Sequence, residues 1–417
     1  MKKRLLYITL VIAPFVAQAQ APLSLSEALR MGLENNYGIQ IRKKGAEAAS
    51  VRNSWAMAGG VPTVGLRGSA LGDFENDPTL NASVTAEVNW TVFDGFRIQA
   101  TKAQLAAAED MARGNEMLTV ENTIQSIINS YCYVRLQQEM LHVNETLLSI
   151  SKDRLEQQEV ARSIGVSGTY EYVQAKTDYL SDKSTYLNQE KALRESMRQL
   201  NLLLSLTPDT LWTLDQGIEI PQGNYDLEQM KAAMLQDNRT LRNQYINLRT
   251  KELEIKQQRA AWYPSIGLNA SLTAGLDRGA LDRDYLRPQL GVTLNYSLFN
   301  GQRRRNVSIA KINLEAEKIS TQQMELSLVG ELTMEFDNYN TSAALVANEN
   351  EQLAMAKTLM QLSEERYRNG TISSFDFRRV QLSYLSAAIS RLNTIYAQVV
   401  SHTELLRLTG GILSYGE

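Results

Sequence analysis

Short stretches in each half of the chain alternate strictly between apolar and polar residues. The clearest run from Leu80 to Val92 and from 289 to 298, and weaker ones cover 64–70 and 266–274. A period of two indicates β-strands with two unlike faces. We therefore predict a β-hairpin over 62–93 and another over 264–299. Their strands, about 9 to 14 residues long, match the length that crosses a bilayer at a tilt.

The polar faces of these strands are mostly uncharged, as expected beside a water-filled lumen. Arg67, Glu87 and Arg287 are the sparse exceptions and are predicted to line the pore. The apolar faces are predicted to meet lipid, with Val84, Val88, Val292 and Leu294 among them.

Apolar residues then recur at every seventh position over long distances. The two series are Val120, Ile127, Val134, Leu141, Leu148 and Leu155, and Leu332, Tyr339, Val346, Leu353, Met360 and Tyr367. Sustained heptads predict coiled-coil helices. The predicted elements are long helices over 97–162 and 302–368, tip turns at 163–168 and 369–373, returning helices over 169–206 and 374–408, and helices over 25–58 and 226–262 before the hairpins. At 1.5 Å per residue, each long helix spans about 100 Å.

Four short motifs occur twice, in the same order, 202 to 206 positions apart. They are Pro62 to Leu66 with Pro264 to Leu268, Trp90 to Gly95 with Tyr296 to Gly301, Gly165 and Glu171 with Gly370 and Asp376, and Leu206 to Pro208 with Leu408 to Gly410. Their order predicts an internal duplication. The first repeat covers 20–207, a linker covers 208–225, the second repeat covers 226–409, and 410–417 form a tail.

Each predicted hairpin leads directly into its long helix through a similar junction. Trp90 and Tyr296 stand at matching strand ends, where membrane barrels carry an aromatic girdle. Asp94 and Asn300, followed by Gly95 and Gly301, are predicted helix N-caps.

The first nineteen residues have the pattern of a signal peptide. Lys2, Lys3 and Arg4 precede an apolar core, and Ala17-Gln18-Ala19 fits a cleavage site. Its removal leaves 40 basic and 46 acidic residues. This mild acidity, without a basic tract, disfavours a nucleic-acid partner.

Four strands cannot close a barrel, and lipid tolerates no unpaired strand edge. Transmembrane barrels begin at about eight strands. The chain must therefore pool its strands with further copies. The predicted fold is a membrane β-barrel continued by an all-α helical barrel, closed by oligomerisation.

Together these motifs resemble the TolC family of outer-membrane efflux proteins. The resemblance rests on Trp90 to Gly95 and Tyr296 to Gly301 at the strand-to-helix junctions, and on 164–171 and 369–376 at the helical tips. It implies a homotrimer with a twelve-stranded barrel in the outer membrane of a Gram-negative bacterium. It also implies a periplasmic adaptor protein, an inner-membrane pump of the RND or ABC type, and export of small molecules such as drugs, toxic compounds or metals. Type I protein secretion is the alternative within this family.

The resemblance also assigns roles at the tips. Residues Gly165, Val166, Ser167, Gly370, Thr371 and Ile372 are expected to contact the adaptor. The periplasmic gate is expected to use Asp376, Arg379, Glu171 and Tyr367. Arg379 stands where family gates carry a second acid, which pairs an acid with a base. Glu171 and Asp376 also suit simple capping of a helix N-terminus.

Two other classes of protein fit the sequence less well. An enzyme is disfavoured because His142 and His402, the only histidines, stand apart from Cys132, the single cysteine, and from any catalytic motif. No cofactor or metal is predicted. A soluble periplasmic coiled-coil scaffold would explain the heptads but not the duplicated hairpins. Arg303-Arg304-Arg305 is either a solvated face beside the barrel rim or a ligand site.

Overall fold

The computed structural model describes residues 22–73, 79–166, 168–214, 220–278 and 283–415. The predicted signal peptide at 1–19 lies outside these residues. The elements follow one another as α1 (Leu25–Asn35), α2 (Tyr37–Arg52), β1 (Thr63–Asp73), β2 (Thr79–Phe93), α3 (Arg97–Ser163), α4 (Thr169–Leu203), α5 (Leu227–Asp237), α6 (Arg239–Ala260), β3 (Ser265–Arg278), β4 (Arg283–Asn295), α7 (Gly301–Arg368), α8 (Ser374–Leu408) and a 3₁₀ turn (Gly411–Tyr415).

The two long helices have the predicted length, with 67 residues in α3 and 68 in α7. Both are continuous, since their sequences contain no proline. Each packs along its returning helix, α3 with α4 and α7 with α8. Among the described residues, none of these helices has the length and apolar character that a membrane crossing requires.

The helices that precede the hairpins differ from the prediction. Each predicted helix, over 25–58 and 226–262, is broken into two, at Asn36 and Asn238. Both asparagines leave the helical region at ψ 119°, and each caps the helix that follows it. Each side-chain amide also donates to the end of a returning helix, Asn36 to the Leu203 carbonyl and Asn238 to the Leu408 carbonyl, at 3.0 Å. The end of α4 therefore meets the start of α2 at Asn36, and the end of α8 meets the start of α6 at Asn238.

The strands form one antiparallel sheet in the order β1-β2-β3-β4. The β2–β3 pairing joins the two repeats, so the duplicated hairpins share one sheet. The register places Arg67 opposite Thr85, Thr85 opposite Thr273, and Thr273 opposite Arg287. These four residues stand at one level across the whole sheet.

The second hairpin ends earlier than predicted. Strand β4 stops at Asn295, and Tyr296 to Phe299 lie outside the sheet. Asn295 pairs with Ser265, and the next partner would be Pro264. Proline has no N–H to donate, so the ladder stops there.

Helix packing below the sheet follows the order of the strands. Near the sheet the helices form a row α2-α3-α6-α7, and towards the tips they form a row α4-α3-α8-α7. The largest apolar core lies midway, where Ile127 and Leu200 pack with residues from both chain ends, Leu23 and Ile412. A second core surrounds Leu241 and Leu332.

Candidate functional site: pore strands, helix junctions and hairpin tips

The sheet has one polar face and one apolar face, and no other described segment of the chain covers the apolar face. On the polar face, the Thr85 and Thr273 hydroxyls are 2.9 Å apart, and Arg67 lies 3.3 Å from the Glu87 carboxylate. All three predicted pore charges, Arg67, Glu87 and Arg287, stand on this face. The apolar face carries Val64, Leu66, Val84, Val88, Leu290, Val292 and Leu294, all exposed. An apolar surface of this extent is typical of a membrane or protein interface.

The first strand-to-helix junction is a tight turn built around Gly95. Its φ of +70° favours glycine, and a Cβ there would collide with the Ala260 carbonyl and the Tyr263 side chain. Trp90 donates from its ring Nε1 to the Gly60 carbonyl at 3.1 Å. These contacts join the end of β2 to the chain before β1 and to the end of α6.

Asp94 is not the N-cap that the sequence predicts. Helix α3 begins after Phe96, which adopts a left-handed conformation and makes no side-chain cap. The buried Asp94 carboxylate instead accepts from the Ile98 amide at 3.1 Å and from Arg97 at 3.2 Å. Asp94 therefore accepts from an amide in the first turn of α3, although it lies two positions before the N-cap residue Phe96.

The second junction differs from the first. Asn300 is the N-cap of α7, and its side chain accepts from the Gln302 amide at 2.9 Å. Gly301 does not have a positive φ, so the turn does not depend on it as the first turn depends on Gly95. Tyr296 is half exposed, beyond the end of its strand.

Both hairpin tips end their long helix in the same way. Gly165 and Gly370 have φ values of +77° and +70°. The Val166 amide donates to the Ala161 carbonyl and the Thr371 amide to the Arg366 carbonyl, each at 2.9 Å. This is the Schellman motif, which uses glycine because of its left-handed conformation. Ser167, predicted to be part of the first tip, lies outside the described residues.

The tips expose apolar side chains that sequence reasoning missed. Tyr170 and Phe375 are 76% and 72% exposed and occupy equivalent positions of the two repeats. Val166 is exposed beside them, whereas Ile372 is only half exposed. The 205-residue offset between the repeats was the signal that would have found this aromatic pair.

The predicted gate residues do not form one cluster. Arg379 lies 3.7 Å from Asp376; the Arg379 side chain is largely exposed and the Asp376 side chain is half exposed. Asp376 also completes a cap, because its amide donates to the Ser373 hydroxyl and its carboxylate accepts from it. The Glu171 carboxylate lies over Gly168, at the start of α4. Tyr367 stacks on Phe377 at 5.0 Å and accepts a hydrogen bond from Gln158 on α3 at 3.2 Å.

Two buried ion pairs near the tips were not predicted. Arg154 of α3 is almost fully buried and pairs with Asp178 of α4. One helical turn further, Asp182 of α4 pairs with Arg378 of α8. The first pair lies within one hairpin, and the second joins the two hairpins. No local pattern could reveal partners 24 and 196 residues apart.

A third cluster of charges lies at mid-height, where α3, α6, α7 and α8 meet. Glu121 is 3.1 Å from Arg239, and Arg407 binds Glu404 and lies 3.5 Å from Glu331. Burial raises the pKa of Glu121 above its ordinary value of 4.5 despite the Arg239 contact. Burial acts on Glu404 in the same direction, but hydrogen bonds from Arg407 and Gln125 outweigh it and lower the pKa.

The sequence is similar to those of known outer-membrane proteins. A family model described as outer membrane efflux protein matches residues 232–411, the second repeat. BepC, an outer membrane efflux protein of Brucella suis, is 21% identical over 98% of this chain and 90% of its own length. TtgC, a toluene efflux pump outer membrane protein of Pseudomonas putida, is 22% identical over 93% of this chain and 83% of its own.

The chain is therefore similar to the TolC family of outer-membrane efflux proteins, and its second repeat matches the family model. The family resemblance seen in the sequence is thereby confirmed, as are the outer-membrane location and the efflux-channel function. The same matches favour the efflux channel over a soluble periplasmic scaffold.

Solved structures share the whole fold. The CmeC outer membrane channel of Campylobacter jejuni has a TM-score of 0.80 at 17% identity, covering 93% of this chain and 85% of its own. The MtrE channel of Neisseria gonorrhoeae, solved in its open state, has a TM-score of 0.78 at 15% identity, with 93% and 89% covered. The predicted combination of a four-stranded sheet and long helices is confirmed by these neighbours.

Proposed function

We propose that the chain is one third of a trimeric export duct. Three four-stranded sheets would close a twelve-stranded barrel, and the helices would continue it as a periplasmic tube. One observation carries this proposal. The sheet has an unpaired strand at each edge, and the helix row that follows the sheet has an uncovered helix at each end.

The sheet edges are β1 and β4, which have no partner on their outer sides among the described strands. An unpaired strand edge is unfavourable in lipid, because its N–H and C=O groups find no water. Pairing β1 of one protomer with β4 of the next removes every edge.

The outermost helices carry apolar seams on the same two flanks. Near the sheet, α2 and α7 end the row and expose side chains at heptad spacing, which are Tyr37, Ile41 and Val51 on α2 and Ile309, Ile312, Ile319 and Leu326 on α7. Towards the tips, α4 exposes Val173, Leu180 and Leu187 at the same spacing. An uncovered heptad seam of this kind is completed by another helix. The seams support a neighbouring protomer on each flank.

The seam gives a direct test of assembly. Ile319→Glu places a charge in the proposed interface of α7 and should shift the detergent-extracted protein from trimer towards monomer, as measured by sizing with light scattering. Thr185→Glu, an equal charge on the exposed side of α4 that faces away from its Val173, Leu180 and Leu187 seam, should leave the trimer intact. A folded, stable monomer of the unaltered protein would contradict the duct.

We further propose that the tips bind a periplasmic adaptor that connects the duct to an inner-membrane pump. Support comes from the apolar side chains exposed at both tips, Val166 and Tyr170 at the first and Phe375 at the second. Tyr170→Glu with Phe375→Glu should abolish export, while trimer level and insertion stay unchanged. Thr185→Glu, on the exposed side of α4 far from the tip, is the matched control. Normal export by the tip variant would remove the tips from docking.

The proposed cargo is small toxic molecules. Relatives carry names such as toluene efflux pump and antibiotic efflux pump, which favours efflux over type I protein secretion. Cells that lack this chain should become sensitive to organic solvents or antibiotics, and the unaltered gene should restore resistance. Unchanged sensitivity together with loss of a secreted protein would favour the secretion alternative.

A further inference from the structure

The second strand-to-helix junction carries three consecutive arginines at the start of α7. Arg303 is buried, with its guanidinium 5.8 Å from the Trp262 ring centre and hydrogen-bonded to the Ser297 carbonyl. Arg304 and Arg305 are exposed, and neither has an acidic partner in the part of the chain that the structure describes. Arg304 therefore points outward beside Arg303, which the protein already holds in place, and Arg305 stands at the edge of the α7 seam, seven residues before Ile312.

The duplicated first junction shows that the fold does not need this charge. At the first junction, Asp94 and Arg97 occupy the positions of Asn300 and Arg303, and they pair with each other at 3.2 Å. In the second repeat Asn300 replaces the acid, and Arg304 and Arg305 replace neutral residues. Positive charge near a helix N-terminus also opposes the helix dipole. Folding therefore gains nothing from the extra arginines.

Arg304 and Arg305 line a cavity on the membrane side of the junction. This cavity of about 680 Å³ is lined by Trp262, Leu298, Phe299 and the three arginines. A different cavity on the lumen side is lined by Ser265 and Asn295 of the polar sheet face, together with Gln302, and Arg303 lines both cavities. At 100° per residue, Arg304 and Gln302 point in nearly opposite directions from α7. Leu298 and Phe299 are 89% and 92% exposed, so the arginine cavity has an apolar rim.

The depth of the arginines fits the headgroup layer. Arg304 is the fourth residue of α7, about 6 Å along the helix axis from its start. The polar layer on each side of a bilayer is about 5–7 Å thick. The guanidinium groups therefore stand at headgroup level, directly below the apolar strand ends.

We propose that this cavity binds an anionic phospholipid of the periplasmic leaflet. Arg304 and Arg305 would bind its phosphate, and its acyl chains would lie along Leu298 and Phe299. A guanidinium donates to phosphate in a bidentate geometry, and Arg303 stacked on Trp262 adds positive charge from a fixed position. The inference rests on the proposed membrane placement of the sheet.

Tryptophan fluorescence provides the measurement, because Trp262 lines the cavity and is half exposed. The trimer is reconstituted with phosphatidylglycerol or phosphatidylcholine carrying dibrominated chains, which quench a tryptophan that they touch. The Trp262→Phe variant supplies the background from the other tryptophans. We expect phosphatidylglycerol to quench Trp262 preferentially, and Arg304→Gln to reduce that preference by about fivefold, the equivalent of ~1 kcal/mol for one basic residue at a membrane surface. Adding Arg305→Gln should remove most of what remains.

Lys311→Gln is the matched control, since it removes one exposed positive charge from the same side of α7 about 10 Å further from the strands. It should leave the preference unchanged. Equal quenching by both lipids in the unaltered protein, or an equal loss in Lys311→Gln, would overturn the proposal. So would abolition of the preference by inorganic phosphate, since the site would then hold a free anion. An intact trimer without lipid preference refutes this inference alone, whereas an absent trimer refutes the duct.

Discussion

Arg378 and Asp182 join the two helical hairpins through a two-pronged ion pair. The guanidinium nitrogens lie 2.7 and 2.6 Å from the carboxylate oxygens, and both side chains are mostly buried. The partners stand on α8 and α4, which belong to different repeats. Any movement that separates the hairpins near the tips must break this pair.

Removing one partner should therefore loosen the tip region. We expect Asp182→Asn to cost about 3 kcal/mol, because it leaves a mostly buried charge without its counter-ion. Trimer unfolding temperature should fall, and single-channel openings in planar bilayers should become more frequent. Glu190→Gln on the same helix breaks an exposed pair with Arg194 and should change little. The exchange Asp182→Arg with Arg378→Asp should restore part of the loss, and equal effects of Asp182→Asn and Glu190→Gln would show that the pair is not a tie between hairpins.

The Asp376–Arg379 pair makes a different prediction, about ion selectivity. At 3.7 Å, with Arg379 largely exposed and Asp376 half exposed, the pair is worth only ~0–1 kcal/mol within one chain. In a trimer the three pairs would surround the closed end, where Arg379→Ala leaves a ring of acids and should increase cation selectivity. Asp376→Ala should shift selectivity towards anions. Reversal potentials measure both, and identical values for all three proteins would leave Asp376 as a helix cap joined to Ser373.

The strand register predicts which positions meet lipid. Val88 pairs with Val64 and Ala270 on the apolar face, whereas Asn89 is on the polar face. Val88→Arg should cost about 2–4 kcal/mol if it lies near the bilayer centre, and Asn89→Arg should cost little. Heat-induced trimer dissociation compares the two. Greater destabilisation by Asn89→Arg would invert the two faces.

Two glutamates of the mid-height cluster should respond to pH in opposite directions. The pKa of Glu121 is raised, so the folded state binds its proton more tightly than the unfolded state does. Its contribution to stability is then fully present below pH 4.5 and is lost as pH rises through the raised pKa. Glu121→Gln, which stays neutral, should gain stability relative to the unaltered protein as pH rises from about 4.5 to 7.

Glu404 serves as the opposing case because its pKa is lowered. Its contribution is present above pH 4.5 and is lost as pH falls through the lowered value. Glu404→Gln should therefore be destabilising at neutral pH, and the difference should shrink in acid. Unfolding temperatures measured between pH 3 and pH 8 test both signs, and parallel curves for the two variants would contradict the assignment.

The sequence by itself determined the elements and their duplication. Alternation and heptads depend on neighbours within a few residues. A stretch such as 80–92 therefore predicts a strand by itself, and the heptad series that begin at Val120 and Leu332 predict α3 and α7. The place of each strand-to-helix junction followed from its short motif, although only the first turn depends on its glycine, Gly95. These features also carried the family resemblance.

Only the tertiary structure decided how those elements are interrupted and tied together. The breaks at Asn36 and Asn238 depend on carbonyls of Leu203 and Leu408, which the chain brings into place from about 170 residues away. Asp94 caps α3 from outside the N-cap position because the turn at Gly95 packs against Ala260. The Arg378–Asp182 pair joins different repeats. Such contacts leave no periodic trace in the sequence, because their energy depends on burial and on distance in space rather than on separation along the chain.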